Sequence, residues 1–409
     1  MNGYDLRFFD PFGNLLFTFD IFIELEFGRQ KNDIGACSLL IPGNIYDISK
    51  FQPDSFLEIW RYDSFTNSMK LFGDTIYFLK KFEYSQSKNN EVIELVFYDT
   101  IDILSRRYNL WLLSEFTDYP SHMNRPIVDQ MVQIFNHNFG NNTSTKSPQM
   151  TITGPVGNDP SIAAQLVGVN DRKFEFIEPM QLVNGTYNET PFNVENAWKN
   201  CLDIFNDLSK LSDSRNIPVW FDIIYTPSDS LAGNFKFQIW EGIRGNNYTN
   251  EYNKKVFSPD SGNFEGVKLT FDYTNYANAI IAISDEIIDA DPSFDEVVQA
   301  VAKTYDYNYL PFHPIEFLVE ERKTADPDSL VTFAKSKLSE RRPIQKLTGD
   351  IINLPGFQFG IDFNYGDLVI VQVKNLSFVA EINKFNISIN KSGEKISIPI
   401  ESSTLLMQI

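Results

Sequence analysis

Apolar and polar residues alternate along the first hundred positions in short stretches that predict strands rather than helices. Ile23, Leu25 and Phe27 face one way and Glu24 and Glu26 the other, which puts the two glutamates on the wet face of a sheet. The same period recurs over Tyr4–Phe9, Leu15–Phe19, Ala36–Ile41, Phe56–Tyr62, Thr75–Tyr84 and Val92–Asp99. Clusters of Pro, Gly, Asn and Ser separate these stretches, the first at Asp10-Pro11-Phe12-Gly13-Asn14, where proline presets φ and glycine and asparagine tolerate a left-handed backbone. So many short strands without a long helix predict a small antiparallel barrel or sandwich.

Beyond Leu110 the period lengthens. Pro126–Phe139 predicts a short amphipathic helix with Ile127, Met131, Ile134 and Phe135 on one face. Gly140–Pro160 reads as a loop or exposed hairpin. Asn193–Ser212 is the longest helical pattern: Val194, Trp198, Cys201, Leu202, Phe205 and Leu208 form its apolar stripe, and Lys199, Asn200, Asp207 and Lys210 face outward. A hairpin follows, Pro218–Tyr225 and Asn234–Trp240, so the middle of the chain predicts an α+β unit of a helix laid on a hairpin. Strand character resumes over Gly266–Ser284. A weak helical stretch falls at Asp295–Ala302 and a further helix at Asp328–Arg342, with charges matching the helix dipole. Strands at Phe357–Phe363, Asp367–Val373, Phe378–Ile389 and Lys395–Pro399 close the chain.

The 409 residues suffice for about three domains. Hydrophobic residues make up 43% and charged residues 22%, which excludes a chain disordered throughout. The net charge of -19, with no run of Lys or Arg longer than two, supplies no basic footprint for nucleic acid or an anionic membrane. No stretch of about 18 apolar residues predicts a transmembrane helix. The start, Met1-Asn2-Gly3-Tyr4-Asp5, has no signal-peptide pattern, so folding in a cytoplasm is expected. Two cysteines, Cys37 and Cys201, make neither a disulfide framework nor a zinc cluster, and Cys201 reads as a small buried hydrophobe.

Candidate chemistry is sparse. His122, His137 and His313 lie in no catalytic context, and no Gly-x-Ser-x-Gly elbow surrounds a serine. Asp289, Asp291, Asp295 and Glu296 crowd eight residues and could cup calcium, but they lack the glycine and terminal glutamate of an EF-hand loop, so a solvated acidic loop is expected. Among 54 acidic residues nothing singles out a glycosidase pair. Trp60, Trp111, Trp220 and Trp240 could form a sugar platform, though their apolar settings favour packing. The expectation is a chain that is not an enzyme, with no catalytic, cofactor-binding or metal residues and no cofactors.

Several segments, in order, resemble the siphophage tail hub (baseplate hub) family. Leu6-Arg7-Phe8-Phe9-Asp10-Pro11-Phe12-Gly13-Asn14-Leu15 is similar to its first hairpin. The run from Gly28-Arg29-Gln30-Lys31-Asn32-Asp33-Ile34-Gly35 to Ile41-Pro42 resembles the basic-then-glycine turn into its second. Phe97-Tyr98-Asp99 through Leu104-Ser105-Arg106-Arg107 looks like the end of its first barrel. Ile239-Trp240-Glu241-Gly242 and Asn275-Tyr276-Ala277-Asn278-Ala279-Ile280 match its central hairpin and following strand, and Tyr365-Gly366-Asp367-Leu368-Val369 its penultimate hairpin. The sequence departs from the pattern at Ile281–Glu286, where the family has a glycine-rich charged stretch.

The resemblance implies a β-rich α+β fold, with two tube-forming β-barrel domains flanking a mixed α+β middle region. The division it suggests is a first barrel over 1–109, an insertion of unassigned fold over 110–192, a helix-plus-hairpin domain over 193–264, and a second barrel over 265–409 with a small helical insertion around 285–345. It further implies a virion protein of the phage tail tip, a homotrimer whose partners are the distal tail ring protein, a tip or fibre protein and the C-terminus of the tape-measure protein. Genomic DNA would pass in transit without sequence-specific binding, past a wall whose acidity repels phosphate. The alternatives are a tail-associated cell-wall hydrolase and a receptor- or carbohydrate-binding tail module.

Overall fold

A computed structural model describes residues 3–19, 21–63, 66–87, 90–109, 126–139, 177–184, 199–214, 217–227, 234–284, 301–305, 315–321, 333–335, 337–338, 341, 344–354, 356–402 and 404–408. The alternating segments of the first hundred residues form strands β1 (Tyr4–Phe9), β2 (Leu15–Thr18), β3 (Glu24–Gln30), β4 (Asp33–Pro42), β5 (Phe56–Asp63), β6 (Ser68–Leu71), β7 (Tyr77–Ser87) and β8 (Asn90–Asp99). Only β6, four residues after a turn, lacks a counterpart in the sequence pattern. In β3 the buried positions are Leu25, Phe27 and Arg29 while Glu24 and Glu26 are exposed, so the period of two is realised as expected.

The middle of the chain holds the one-turn helix α1 (Asp102–Ser105), α2 (Ile127–Asn138), β9 (Ile177–Asn184), α3 (Cys201–Ser214), β10 (Val219–Thr226) and β11 (Asn234–Glu241). The helix expected from Asn193 starts at Cys201. Asn200 is its cap: its Oδ1 accepts from the Leu202 N–H at 2.9 Å and its Nδ2 donates to the Ser105 carbonyl at 2.6 Å. A side chain that competes for backbone partners favours a helix terminus over an interior. Lys199 and Asn200 therefore precede α3, whereas Cys201, Leu202, Phe205 and Leu208 are buried on it as expected.

The later strands are β12 (Val256–Phe257), β13 (Phe264–Asp272), β14 (Ala279–Ser284), β15 (Val301–Tyr305), β16 (Glu316–Glu321), β17 (Ile344–Ile351), β18 (Leu368–Val373), β19 (Leu376–Glu381), β20 (Lys384–Asn390), β21 (Gly393–Ser397), β22 (Pro399–Ser402) and β23 (Thr404–Gln408). The expected strand at Phe357–Phe363 is instead a knot of turns. Gly356 and Gly360 sit at φ +84° and +85°, and only the isolated bridges Leu354–Phe357 and Phe359–Phe363 form. The stretch Phe378–Ile389 is two strands rather than one, broken at Ile382-Asn383. Of the helical stretch expected at 295–302, residues 301 and 302 open β15 and the rest lies outside the described residues. The Asp328–Arg342 helix is represented by helical residues 333–335 and 337–338. The loop expected at 140–160 is outside the described residues.

The chain divides into two compact units. One comprises 1–265, 350–370 and 381–400; the other comprises 266–349, 371–380 and 401–409. In the larger unit ten strands form one sheet, in the order β2-β1-β5-β7-β8-β4-β3-β20-β21, with β6 paired to β5. The path is open, so no sheet closes into a hydrogen-bonded barrel among the described residues. Its two flanks nonetheless meet through side chains: Arg61 of β5 pairs with Glu394 of β21 at 3.0 Å, and Phe72 packs on Phe385. The partnership of β3 with β20 joins residues more than 350 positions apart, Phe27 opposite Ile387. Gly28 makes it possible, since a Cβ there would strike the Phe385 carbonyl.

A second layer of the same unit packs α2, α3 and the sheet β10-β11-β9 around one apolar core with Phe56, Ile76, Phe78, Ile101 and Ile103. Phe135 of α2 stacks on Phe237 of β11 at 4.0 Å between centroids. In the smaller unit β14 pairs with β15 antiparallel and β16 parallel over a small core of Ala277, Ile280, Ala282 and Ala334.

The Asn200 cap yields a prediction. Asn200→Ala lowers the unfolding free energy by about 1–2 kcal/mol, and Asn200→Asp, which keeps the cap and loses the donor to Ser105, by less. Urea denaturation of the three proteins measures it.

Candidate functional site: a buried arginine junction

The period of two that buries Leu25 and Phe27 also buries the next residue of that row, Arg29, with no exposed side chain. Its guanidinium is spread over three parts of the unit. Nε donates to Asp99 Oδ2 at 3.1 Å, Nη1 to the Gly73 carbonyl at 2.9 Å, and Nη2 to Asp222 Oδ1 at 2.5 Å. Asp99 ends β8 and Asp222 lies in β10, so a single side chain ties the large sheet to the helix-and-hairpin layer. Asp222 Oδ2 in turn accepts from Arg244 Nη2 at 2.9 Å. Arg244 lies over the rings of Trp240 and Tyr365, 5.2 and 5.0 Å from their centroids, and donates to the Tyr365 carbonyl.

Two arginines and two aspartates thus alternate in a row with little access to water. Burial pushes the Asp99 carboxyl up to about 7; Asp222 acts in the same direction and Arg29 opposes both. The Arg29 guanidinium is held above its usual range, the pull of Asp222 and Asp99 exceeding the cost of its burial. Asp222, which bridges both arginines at shorter distance, is the principal countercharge.

Neighbouring residues of the β3–β4 turn repeat the pattern. Asn32, at φ +56°, inserts its amide between α3 and β10. Its Nδ2 donates to Ser209 Oγ and the Val219 carbonyl, both at 2.8 Å, and its Oδ1 accepts from the Phe221 N–H at 2.9 Å. Lys31 pairs with Glu381 at 3.2 Å and lies over Trp220, whose Nε1 donates to the same carboxylate at 2.6 Å. Beside them Thr100 Oγ1 donates to the Ile223 carbonyl, and buried Glu58 accepts from Tyr225 and Trp60. On the far side, Asp367 accepts from the N–H groups of Asn246 and Asn364, both at 2.6 Å, and clamps two loops. Gly366 at φ +90° leaves room for the Arg244 stem.

A recess of about 360 Å³ opens next to Arg244. Three cations (Arg61, Lys70, Arg244) and three carboxylates (Asp63, Asp74, Asp367) line it, and neither sign prevails. Lys70 is already paired with Asp63 at 2.6 Å. The recess has no charge bias that would select an ion.

The residues singled out from sequence for chemistry are scattered. His122, His313, Trp111 and the Asp289–Glu296 cluster lie outside the described residues, and of His137 only the backbone, in α2, is described. Trp220 and Trp240 are buried and Trp60 is half-buried, hydrogen-bonded to Glu58, so these three do not form an open platform. Glu24 and Glu26 are exposed, and Cys37 and Cys201 are buried and not joined in a disulfide. Among the described residues no three metal-ligating side chains converge, and no helix is long and apolar enough to cross a membrane.

Four of the six segments that carried the family resemblance contribute to the junction and its surroundings, whereas Leu6–Leu15 supplies none of its residues and Asn275–Ile280 belongs to the smaller unit. Arg29, Asn32, Asp99, Trp240, Tyr365 and Asp367 each come from one of those four, and all six meet at the junction. Asp222 and Arg244, which complete it, lie in none. The model of the siphovirus ReqiPepy6 Gp37-like proteins matches residues 5–400. The chain belongs to this family. Its fold is that of phage tail proteins. It is similar to the 43 kDa tail protein of prophage MuSo2 from Shewanella oneidensis, at 11% identity and TM-score 0.51 over 98% of both chains. It is likewise similar to a tail protein from Neisseria meningitidis MC58, at 10% identity and TM-score 0.50 over 98% of this chain and 96% of that one. Prophage tail protein gp18 from Listeria monocytogenes EGD-e matches at 10% identity and TM-score 0.50 over 97% and 94%. No curated protein matches the chain.

For this Gp37-like chain the junction sets two expectations. Arg29→Met strands two buried carboxylates and lowers stability by about 3–5 kcal/mol; Arg29→Lys, a point charge in place of a three-way fork, fails to restore it. Chemical denaturation checks both. Stability also falls as pH rises from about 4 through 7. Asp99 titrates near 3.9 when unfolded and about 7 when folded, so the folded chain holds the extra proton in that window. Burial displaces Glu381 and Asp367 in the same direction. Urea midpoints at pH 5.5 exceed those at pH 8, and Asp99→Asn flattens the difference.

Proposed function

We propose that this chain is a structural component of the siphophage tail, a hub at the distal end of the tail tube that works as one of three copies in a ring. The observation that supports this best is a phage-tail fold spanning nearly the whole chain, built around a junction that locks rather than reacts. Arg29, Asp99, Asp222 and Arg244 are spent on one another, Asp367 on two loops and Glu58 on two ring donors. Of these groups only the buried Arg244 Nε lacks an acceptor, and the rest hold the two layers in one fixed geometry. That suits a part that must transmit load and keep its shape in a particle.

On this reading the strand-rich parts of each subunit line a central passage continuous with the tube, and the copies bury strand edges against their neighbours. The partners are other tail proteins: the distal ring above, a tip or fibre protein below, and the end of the tape measure within. DNA crosses only in transit, and a chain of net charge -19 repels it from the wall. The protein resides in the virion and carries out no chemistry.

The purified chain is expected to give masses in multiples of three by native mass spectrometry and rings with a central channel in negative stain. Labelled antibody is expected to mark the tail's distal end on virions. A chain that stays monomeric at high concentration, or one that degrades cell walls, overturns the reading.

A further inference from the structure

The β7–β8 hairpin carries a free edge. β5 pairs with β7 only at Phe56–Phe78 and Leu57–Tyr77, and one further bond, Leu79 N–H to the Ser55 carbonyl, ends that ladder. From Lys80 to Ser87 the strand is hydrogen-bonded to β8 alone among the described residues, and all eight residues are exposed. A bulge between Leu79 and Lys81 turns this half away from β5. An exposed edge of this length is a template for another strand unless something guards it.

Two features identify what fits. The first is charge. In an antiparallel pairing of this edge with itself, centred on Phe82, Lys81 of each copy falls opposite Glu83 of the other. Within its own hairpin Glu83 stands opposite Glu94, a like-charged cross-strand pair. A lysine from a second copy on the open side of Glu83 relieves that repulsion. Lys81 and Glu83 already pair within the chain at 2.5 Å, and both side chains are more than half exposed, so they are free to join a four-member network. The second feature is apolar. Phe82 is 42% exposed, and its ring meets Phe51, which continues through Phe17 to Tyr46 as a row of ring contacts. The same pairing sets Phe82 against Phe82 on the side where this aromatic row ends.

We infer that Lys80–Tyr84 of this edge is a self-complementary docking strand, on which a second copy of this chain adds by two-fold antiparallel pairing about Phe82 over five residues, since β5 already holds the edge from Tyr77 to Leu79. Such a contact is isologous and differs from the heterologous contacts that close a ring of three, so each can exist without the other. Where both form, two rings meet edge to edge as six copies.

The test uses the full chain. Phe82→Cys is expected to cross-link two copies under mild oxidation, because residues on the axis face each other at about 4.5–5.5 Å between Cβ atoms, whereas Gln86→Cys, four residues off the axis, does not. The two native cysteines are buried and do not compete. In sedimentation, Glu83→Lys sets lysines opposite each other and raises the concentration for pairwise association roughly tenfold or more. Lys81→Glu combined with Glu83→Lys restores it, since the swapped charges again face their opposites. Circular dichroism spectra matching the wild type exclude misfolding.

Halving of a six-copy or two-copy assembly by Glu83→Lys, with recovery in the double variant, supports the inference. Three-copy assemblies that ignore Glu83→Lys, together with a Phe82→Cys variant that does not cross-link, overturn it and leave the ring reading standing. Two-copy assemblies that fall to monomers uphold it and overturn the ring. Monomers throughout overturn both.

Discussion

One guanidinium sets the terms for the larger unit of this protein. Arg29 has no water to solvate it, so its donors must be answered from within, and those partners come from β8, the Gly73 turn and β10. A charge with so many obligations fixes distances and angles that apolar packing alone leaves adjustable. Burying the whole row of Asp99, Arg29, Asp222 and Arg244 brings no net gain in stability over four well-packed hydrophobic residues, although removing one member alone is costly. Its contribution is specificity: β10 can meet the large sheet in one register only, because only one places Asp222 between Arg29 and Arg244. The stacking of Tyr365 and Trp240 over Arg244 extends the same condition to β11 and to the turn before β18.

The surroundings obey this constraint with ordinary means. Turn residues do the positioning, as in the left-handed Asn32 that plugs the β3–β4 turn between α3 and β10. Small residues permit close approach, as at Gly28 beside β20 and Gly366 beside Arg244. Apolar mass is supplied by phenylalanine, whose rings run from Phe135 and Phe237 beneath the helices to Phe56 and Phe78 under the sheet.

How far all this is legible from sequence follows the range of each interaction. Strands β1 to β5 are written in local alternation, and their ends shift by a few residues only. The α3 boundary escapes the pattern because Val194 and Trp198 continue the apolar period past the cap at Asn200. The Phe357–Phe363 segment has a strand's composition, yet its glycines at left-handed φ fold it into turns. Arg29 carries a usable signal: its position in the row of Leu25 and Phe27 points it inward, an unusual place for a charge unless partners await it. Those partners cannot be read locally, since Asp222 lies 193 residues away and nothing around it announces a pairing. The strand pattern likewise points to a small barrel or sandwich, and the family resemblance to two barrels, whereas the described sheet is an open path completed by β20 and β21.

The pairing of β3 with β20 bears on the order of events during synthesis. Asn386 lies 360 residues after Glu26, to which its side chain donates. At about 5–20 residues per second, a ribosome needs roughly 20 to 70 seconds to deliver one strand after the other. Throughout that interval the inner edge of β3 has no permanent neighbour, and Phe27, which ends up against Phe385, lacks that cover. The larger unit therefore completes late: its first sheet waits for β20, some 360 residues downstream. A nascent molecule in this state invites chaperones or premature strand partners, and its maturation time sets the earliest moment at which a finished subunit can enter an assembly.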